Sequence, residues 1–180
     1  AAECNTVPEP PAAGSVLAID ACGTDVSDSV SYKEVRIEGS CEDQYTLKRT
    51  WSIKDACGVV TSRTQFIDVA DTQPPEILGD ADNQICLSPP NHRMADFSGV
   101  QEMVGVADAC DPAPVLKSVS CDSNQSDNTI GDGNTTGDCS YDWDSDILAA
   151  RAERSPTSDG RTYRAMYTAI DRCGNENEPE

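Results

Sequence analysis

Nine cysteines, one histidine and 32 carboxylates are the residues from which this chain can build chemistry. Covalent catalysis with an imidazole base would rest on His92 alone. That residue lies in "PPNHRM" at the start of a predicted strand, where a structural role is the simpler reading. With 32 acids, carboxylate pairs of the kind that hydrolyse glycosides arise by abundance, and no two stand out. Zinc is poorly served, because there is no Cys-x-x-Cys and only one His.

Hard cations are better served. "GDGNTTGD" offers Asp132, Asn134 and Asp138 among turn-forming glycines, with Glu153 of "RAER" approaching from a neighbouring strand. Such an oxygen-rich set suits calcium, although its spacing is not that of an EF-hand. Asp68 and Asp71 form a second candidate calcium set, at the junction expected between two domains. For both sets the alternative is a solvated acidic surface. Asp20, Asp55, Asp108 and Asp171 each precede a cysteine by two residues and are expected to cap turns rather than bind metal. Asn124 in "NQS" and Asn134 in "NTT" match the N-glycosylation triplet, which also occurs by chance. Trp143 in "SYDWDSD" suits stacking on a sugar, or packing on its own sheet.

The formal charge of −19 repels nucleic acid and anionic membranes. It attracts divalent cations, or simply keeps an extracellular protein in solution. The cysteine density suits an oxidising compartment, and Ala1-Ala2-Glu3-Cys4 reads as the start of a mature secreted chain. No apolar run approaches the roughly 18 residues that would span a bilayer, so no membrane insertion is expected.

These residues must be positioned by strands. In "QYTLKRTWSIKD", Tyr45, Leu47, Arg49, Trp51 and Ile53 alternate with Thr46, Lys48, Thr50 and Ser52, the period of a half-buried strand. Arg49 on the apolar side needs a carboxylate or carbonyl partner. "VSYKEVRIE" and "VVTSRTQFIDV" are also strand-like, and "DILAARAER" is the one segment that suits either helix or strand. "KDACGVV" near residue 57 is echoed by "IDRCGNE" near residue 173, with shorter echoes at "IDACGT" and "ADACDP". Two related domains follow, 1–73 and 74–180, separated within "DTQPPE". The expected fold is all-β, with two tandem immunoglobulin-like Greek-key sandwiches stapled by disulfides. The second is longer and carries a polar loop over residues 122–138. It lacks a counterpart of the first domain's last strand, because only "NENEPE" follows Cys173-Gly174.

The motifs "CNTVPEPP", "AIDACG", "RTWSIKDACG" and "TQFIDVADTQPP" resemble the hyalin-repeat-like, immunoglobulin-like modules of secreted and cell-surface bacterial proteins. "SPPNHRM", "ADACDPAP", "GDGNT", "RAER" and "DGRTYRAMYTAIDRCGN" resemble a longer relative of that module. Gln125 and Val59 depart from the family pattern, which has an acid and an Asn at those places. The resemblance implies repeated sandwich domains of adhesins, surface layers and filaments. If related domains keep related bonds, Cys22–Cys57 and Cys110–Cys173 are homologous staples. Cys4–Cys41 and Cys121–Cys139 then complete the set and leave Cys86 over. Four cysteines in a domain permit three pairings, so this choice rests on the echo.

The function expected is that of a non-enzymatic extracellular structural protein. It would be a subunit of a head-to-tail homopolymeric fibril or surface array, in which an extended segment from residues 1–19 adds a strand to a neighbour. The alternative is a monomeric cell-surface adhesin or carbohydrate-binding module.

Overall fold

Alternation along residues 45–54 produces the central strand of the first half. The computed structural model describes residues 1–12, 15–55, 57–79, 85–128 and 133–179. These form strands and only single-turn 3-10 helices, so the chain is all-β. It divides into two compact units, Ala1–Gln73 and Pro74–Glu180.

In the first unit β3 (Tyr45–Lys54) lies between β2 (Ser31–Glu38) and β4 (Val60–Ala70), antiparallel to both. A two-residue β1 (Ala2–Glu3) runs parallel to the end of β4. Directly paired residues share a face, so Leu47, Arg49 and Val69 lie on one side, and these three are buried. The Arg49 guanidinium on that side is met across the sheet by Glu34, at 2.7 Å. Burying a Leu or Val side chain stabilises by about 1.5–3 kcal/mol, and the ion pair lets a buried arginine share their face without an unpaired charge. Among the described residues the strands of this unit form one four-stranded sheet.

The chain start is a correction to expectation. A free extended segment was expected over residues 1–19, but Ala2 and Glu3 pair with Val69 and Ala70. Cys4 is disulfide-bonded, and Thr72 donates through its hydroxyl to Glu3. Among the described residues no named strand lies between Glu3 and β2, apart from the bridge Ile19 to Asp25.

The second unit contains β5 (Glu76–Gly79), β6 (Met94–Ser98), β7 (Val104–Ala107), β8 (Val115–Ser123), β9 (Cys139–Asp142), β10 (Ile147–Arg151) and β11 (Tyr163–Ile170). They pair as β6-β10-β9, β8-β11 and β5-β7. "DILAARAER" resolves as strand β10. Its small side chains let it sit between two neighbours, Ala150 facing Ala95 on one side and Cys139 on the other. Among the described residues of this unit, Pro75, Val100, Ala150, Ala152 and Ala169 are buried apolar residues, a core of small side chains.

Candidate functional site

The repeated Asp-x-Cys phrase folds as one turn used three times. Asp20, Asp55 and Asp171 each accept, through the backbone carbonyl, the N–H of the glycine three residues on. Each donates its own N–H to the carbonyl four residues on, at Thr24, Val59 and Asn175. The side chains complete the cap. Asp20 Oδ1 accepts from the N–H groups of Cys22 and Thr24, Asp55 Oδ1 from Val59, and Asp171 Oδ1 from Cys173 and Asn175. The glycines hold φ of 82°, 87° and 91°, the left-handed region where a side chain is disfavoured. Asp108, whose turn lacks glycine, accepts from Cys110 and Asp111. All four aspartates therefore act as caps.

The cysteines in these turns part company, which corrects the expected pairing of Cys22 with Cys57. Both are free thiols on exposed turns, as is Cys86. Cys110 and Cys173 are disulfide-bonded, as are Cys4 and Cys41. Cys121 and Cys139 bridge the base of the polar loop, with Cα atoms 5.9 Å apart. The physical difference is exposure: Cys22 and Cys57 stand in solvent, while Cys110 and Cys173 are half-buried. Three disulfides fit an oxidising compartment.

Beneath the polar loop lies a group of buried charges. The expected calcium ligands Asp138 and Glu153 do converge, but on guanidinium groups. Arg161 Nη1 lies 2.8 Å from Asp138 and 2.9 Å from Glu153, and all three side chains are buried. Arg151 Nε adds a third contact, 3.0 Å from Asp138. Glu153 also accepts from the Thr135 hydroxyl at 2.7 Å and lies 3.2 Å from His92 Nδ1. Burial pushes the Asp138 carboxyl up, but hydrogen bonding to Glu153 and to both arginines outweighs it and holds the group below its ordinary value. Burial likewise pushes the Tyr163 phenol up to about 12, and its hydroxyl donates to the Arg151 carbonyl. Sequence reasoning missed Arg151 and Arg161. The only available signal was arginine beside acids in "RAER" and "DGRTY".

Arg161 also donates to the Ser123 hydroxyl at 3.0 Å, which fastens the start of the polar loop. Gln125 fastens it again: its amide donates to Ser158 and Gly160, and its Oε1 accepts from the Ser155 N–H. The neutral amide, rather than an acid, suits a partner set containing two acceptors and one donor. A shallow cleft of about 390 Å³ lies along this strip, lined by Cys121–Asp127 and Cys139. Asn124 is exposed, and its amide donates to Gly160 and accepts from Thr162. Asn134 is exposed, at φ 54°. Asp132 lies outside the described residues. Asp68 is exposed and accepts from the Thr46 hydroxyl, and Asp71 is buried and accepts from the Gln73 N–H. Trp143 is exposed at the β9–β10 turn and meets Tyr141 edge to face at 6.0 Å.

The last strand shows what the shared turn does differently in the two units. In the first, the turn at 55–59 leads into β4, and ten residue pairs join β3 to β4. In the second, the same turn at 171–175 is followed by a single bridge, Ile170 to Glu176. Asn177 Oδ1 accepts the Ala169 N–H at 2.6 Å. Among the described residues β11 has no strand partner other than β8. Comparison with protein-family models, curated proteins and solved structures finds no match for this chain.

Proposed function

We propose that this chain is a secreted, non-enzymatic structural protein that assembles head to tail into a fibril or surface array. In this reading its two units are tandem immunoglobulin-like modules of the hyalin-repeat-like kind. The observation that carries the proposal is the outer edge of β11. From Tyr163 to Thr168 its outer side pairs with no strand among the described residues, and an unpaired strand edge is a template for another chain. A strand supplied by a second copy would take the place that β4 holds beside β3.

The corrected chain start narrows the donor. Residues 1–6 are tied into the first unit, so "SVLAI" (15–19) is the segment proposed; to pair with a neighbour it gives up its own bonds, Ile19 to Asp25 and Ala18 to Val26 and Ser27. Leu17 and Ile19, two apart and so on one face of an extended strand, are 72% and 57% exposed. Five residues span about 17 Å in a strand, comparable with the open length of β11. The contact uses different surfaces on the two partners, so it propagates along a line unless rotation closes a ring. The buried Asp138–Arg161–Glu153 group supports a structural rather than a hydrolytic use, because its carboxylates are already engaged by guanidinium groups.

Replacing Leu17 and Ile19 with Asp tests the donor. Both side chains are exposed, so the units should stay folded while filaments disappear from electron micrographs. Filaments of unchanged abundance would reject the donor. One observation favours the second reading, a monomeric carbohydrate binder: the exposed Trp143. Its fluorescence on titration with oligosaccharides is the check.

A further inference from the structure

The two faces of the first unit's sheet differ in charge as well as burial. Cross-strand pairing puts Lys33, Val35 and Ile37 of β2, Lys48 and Lys54 of β3, and Val60, Phe66 and Asp68 of β4 on the face opposite Leu47. Three of the chain's four lysines are therefore on one face, against a single aspartate, in a chain of net charge −19. The face is also apolar at its centre. Val35, Lys48 and Phe66 form one row across the three strands, and the Lys48 ammonium lies over the Phe66 ring at 6.0 Å. Val35 is 41% exposed, Ile37 47% and Phe66 62%.

The second unit carries a feature of complementary character. At the β9–β10 turn the exposed Trp143, 43% accessible, stands between two exposed carboxylates, Asp142 and Asp144. Asp142 Oδ1 accepts the N–H groups of Asp144 and Ser145, which fixes the turn that displays the ring. An indole flanked by carboxylates matches a phenyl and valine flanked by ammonium groups, both in apolar contact and in charge.

We propose that the Asp142–Trp143–Asp144 turn of one copy docks on the lysine-bearing face of β2, β3 and β4 in a second copy. This contact uses neither the β11 edge nor residues 15–19, so it stands independently of the strand-addition reading. Eight residues of three strands make a patch of about 26 Å by about 14 Å. That is less than half of the roughly 800 Å² per partner of a stable interface. A single contact is therefore weak, and association through it rises with protein concentration.

The test is sedimentation of the full chain carrying Leu17→Asp and Ile19→Asp, which removes the proposed strand addition, over a range of concentrations, at about 0.05 M and about 0.5 M salt. This parent chain should associate with concentration at low salt, and at least tenfold more weakly at high salt, where screening is stronger. Adding Lys48→Glu and Lys54→Glu should abolish that association, as should adding Asp142→Lys and Asp144→Lys instead. Each variant's two surfaces then carry like charge. An equimolar mixture should associate again, because each surface finds its opposite on the other variant. Trp143→Ser should weaken association at least tenfold with charge unchanged. A parent chain that stays monomeric at low salt, charge variants that associate like the parent, or an unaltered Trp143→Ser would each overturn the proposal. So would a mixture that fails to recover.

Discussion

Arg161 holds together more of the second unit than its place in the sequence implies. It neutralises two buried carboxylates, Asp138 and Glu153, and reaches Ser123 at the start of the polar loop. Arg161→Met keeps the volume but leaves both carboxylates short of their main partner. Breaking a buried pair in this way typically costs about 3–5 kcal/mol, so chemical denaturation of the variant should show a loss of that order in the second unit. Acid should act on the same groups. The carboxyls of Asp138 and Asp111 are held below their ordinary values although burial alone pushes both up, the latter by the Ala113 and Arg172 N–H groups and the Arg172 guanidinium. A folded-state value below the unfolded one contributes stability above about pH 4, lost as pH falls through the folded value. Melting temperature should accordingly hold level down to about pH 4 and decline below it. A curve that rises towards pH 2 would contradict that assignment. Some of this was legible beforehand. Arg49 on the apolar side of an alternating strand called for a carboxylate, and Glu34 supplies it at 2.7 Å. Arg161 was not, because its partners lie 8 and 23 residues away on other elements and its own neighbourhood reads as loop.

At the scale of elements, periodicity and turn chemistry were sufficient for much of the fold. The alternation in β3, the β-branched runs of β2 and β4, and the aspartate caps were all readable, because each depends on contacts local in sequence. Disulfide partners are not local in that sense. The duplicated Asp-x-Cys turn recurs as a backbone motif in both units, yet its cysteine is bonded in one unit and free in the other. A turn conserves its own hydrogen bonds whether or not a second turn comes within bonding reach. Thiol labelling of the native protein followed by peptide mass mapping measures this directly. Cys22, Cys57 and Cys86 should be modified without reductant, and Cys4, Cys41, Cys110, Cys121, Cys139 and Cys173 should not. Recovery of an unmodified, linked Cys22–Cys57 peptide would restore the homologous staple. The ion pairs of Asp138 and Glu153 were hidden for a related reason: clustered oxygen ligands are visible in sequence, whereas the arginines that meet these two come from β10 and from the segment before β11.

For the molecule as a whole, the β11 edge left without a strand partner among the described residues and the exposed apolar pair Leu17 and Ile19 are the features on which the proposed assembly rests. Net charge of −19 keeps single copies apart at a distance, so the proposed assembly would rest on short-range contacts, strand pairing above all. The lysine-bearing face of the first unit is proposed to give a second, salt-sensitive contact between copies. These two contacts separate experimentally: aspartates at 17 and 19 remove the first, and raised salt the second. The most direct measurement is negative-stain electron microscopy of the purified full chain across a concentration series, under conditions that leave its disulfides intact. The account predicts unbranched filaments with a regular axial repeat, absent from the Leu17→Asp, Ile19→Asp variant. Uniform single particles at every concentration would contradict it.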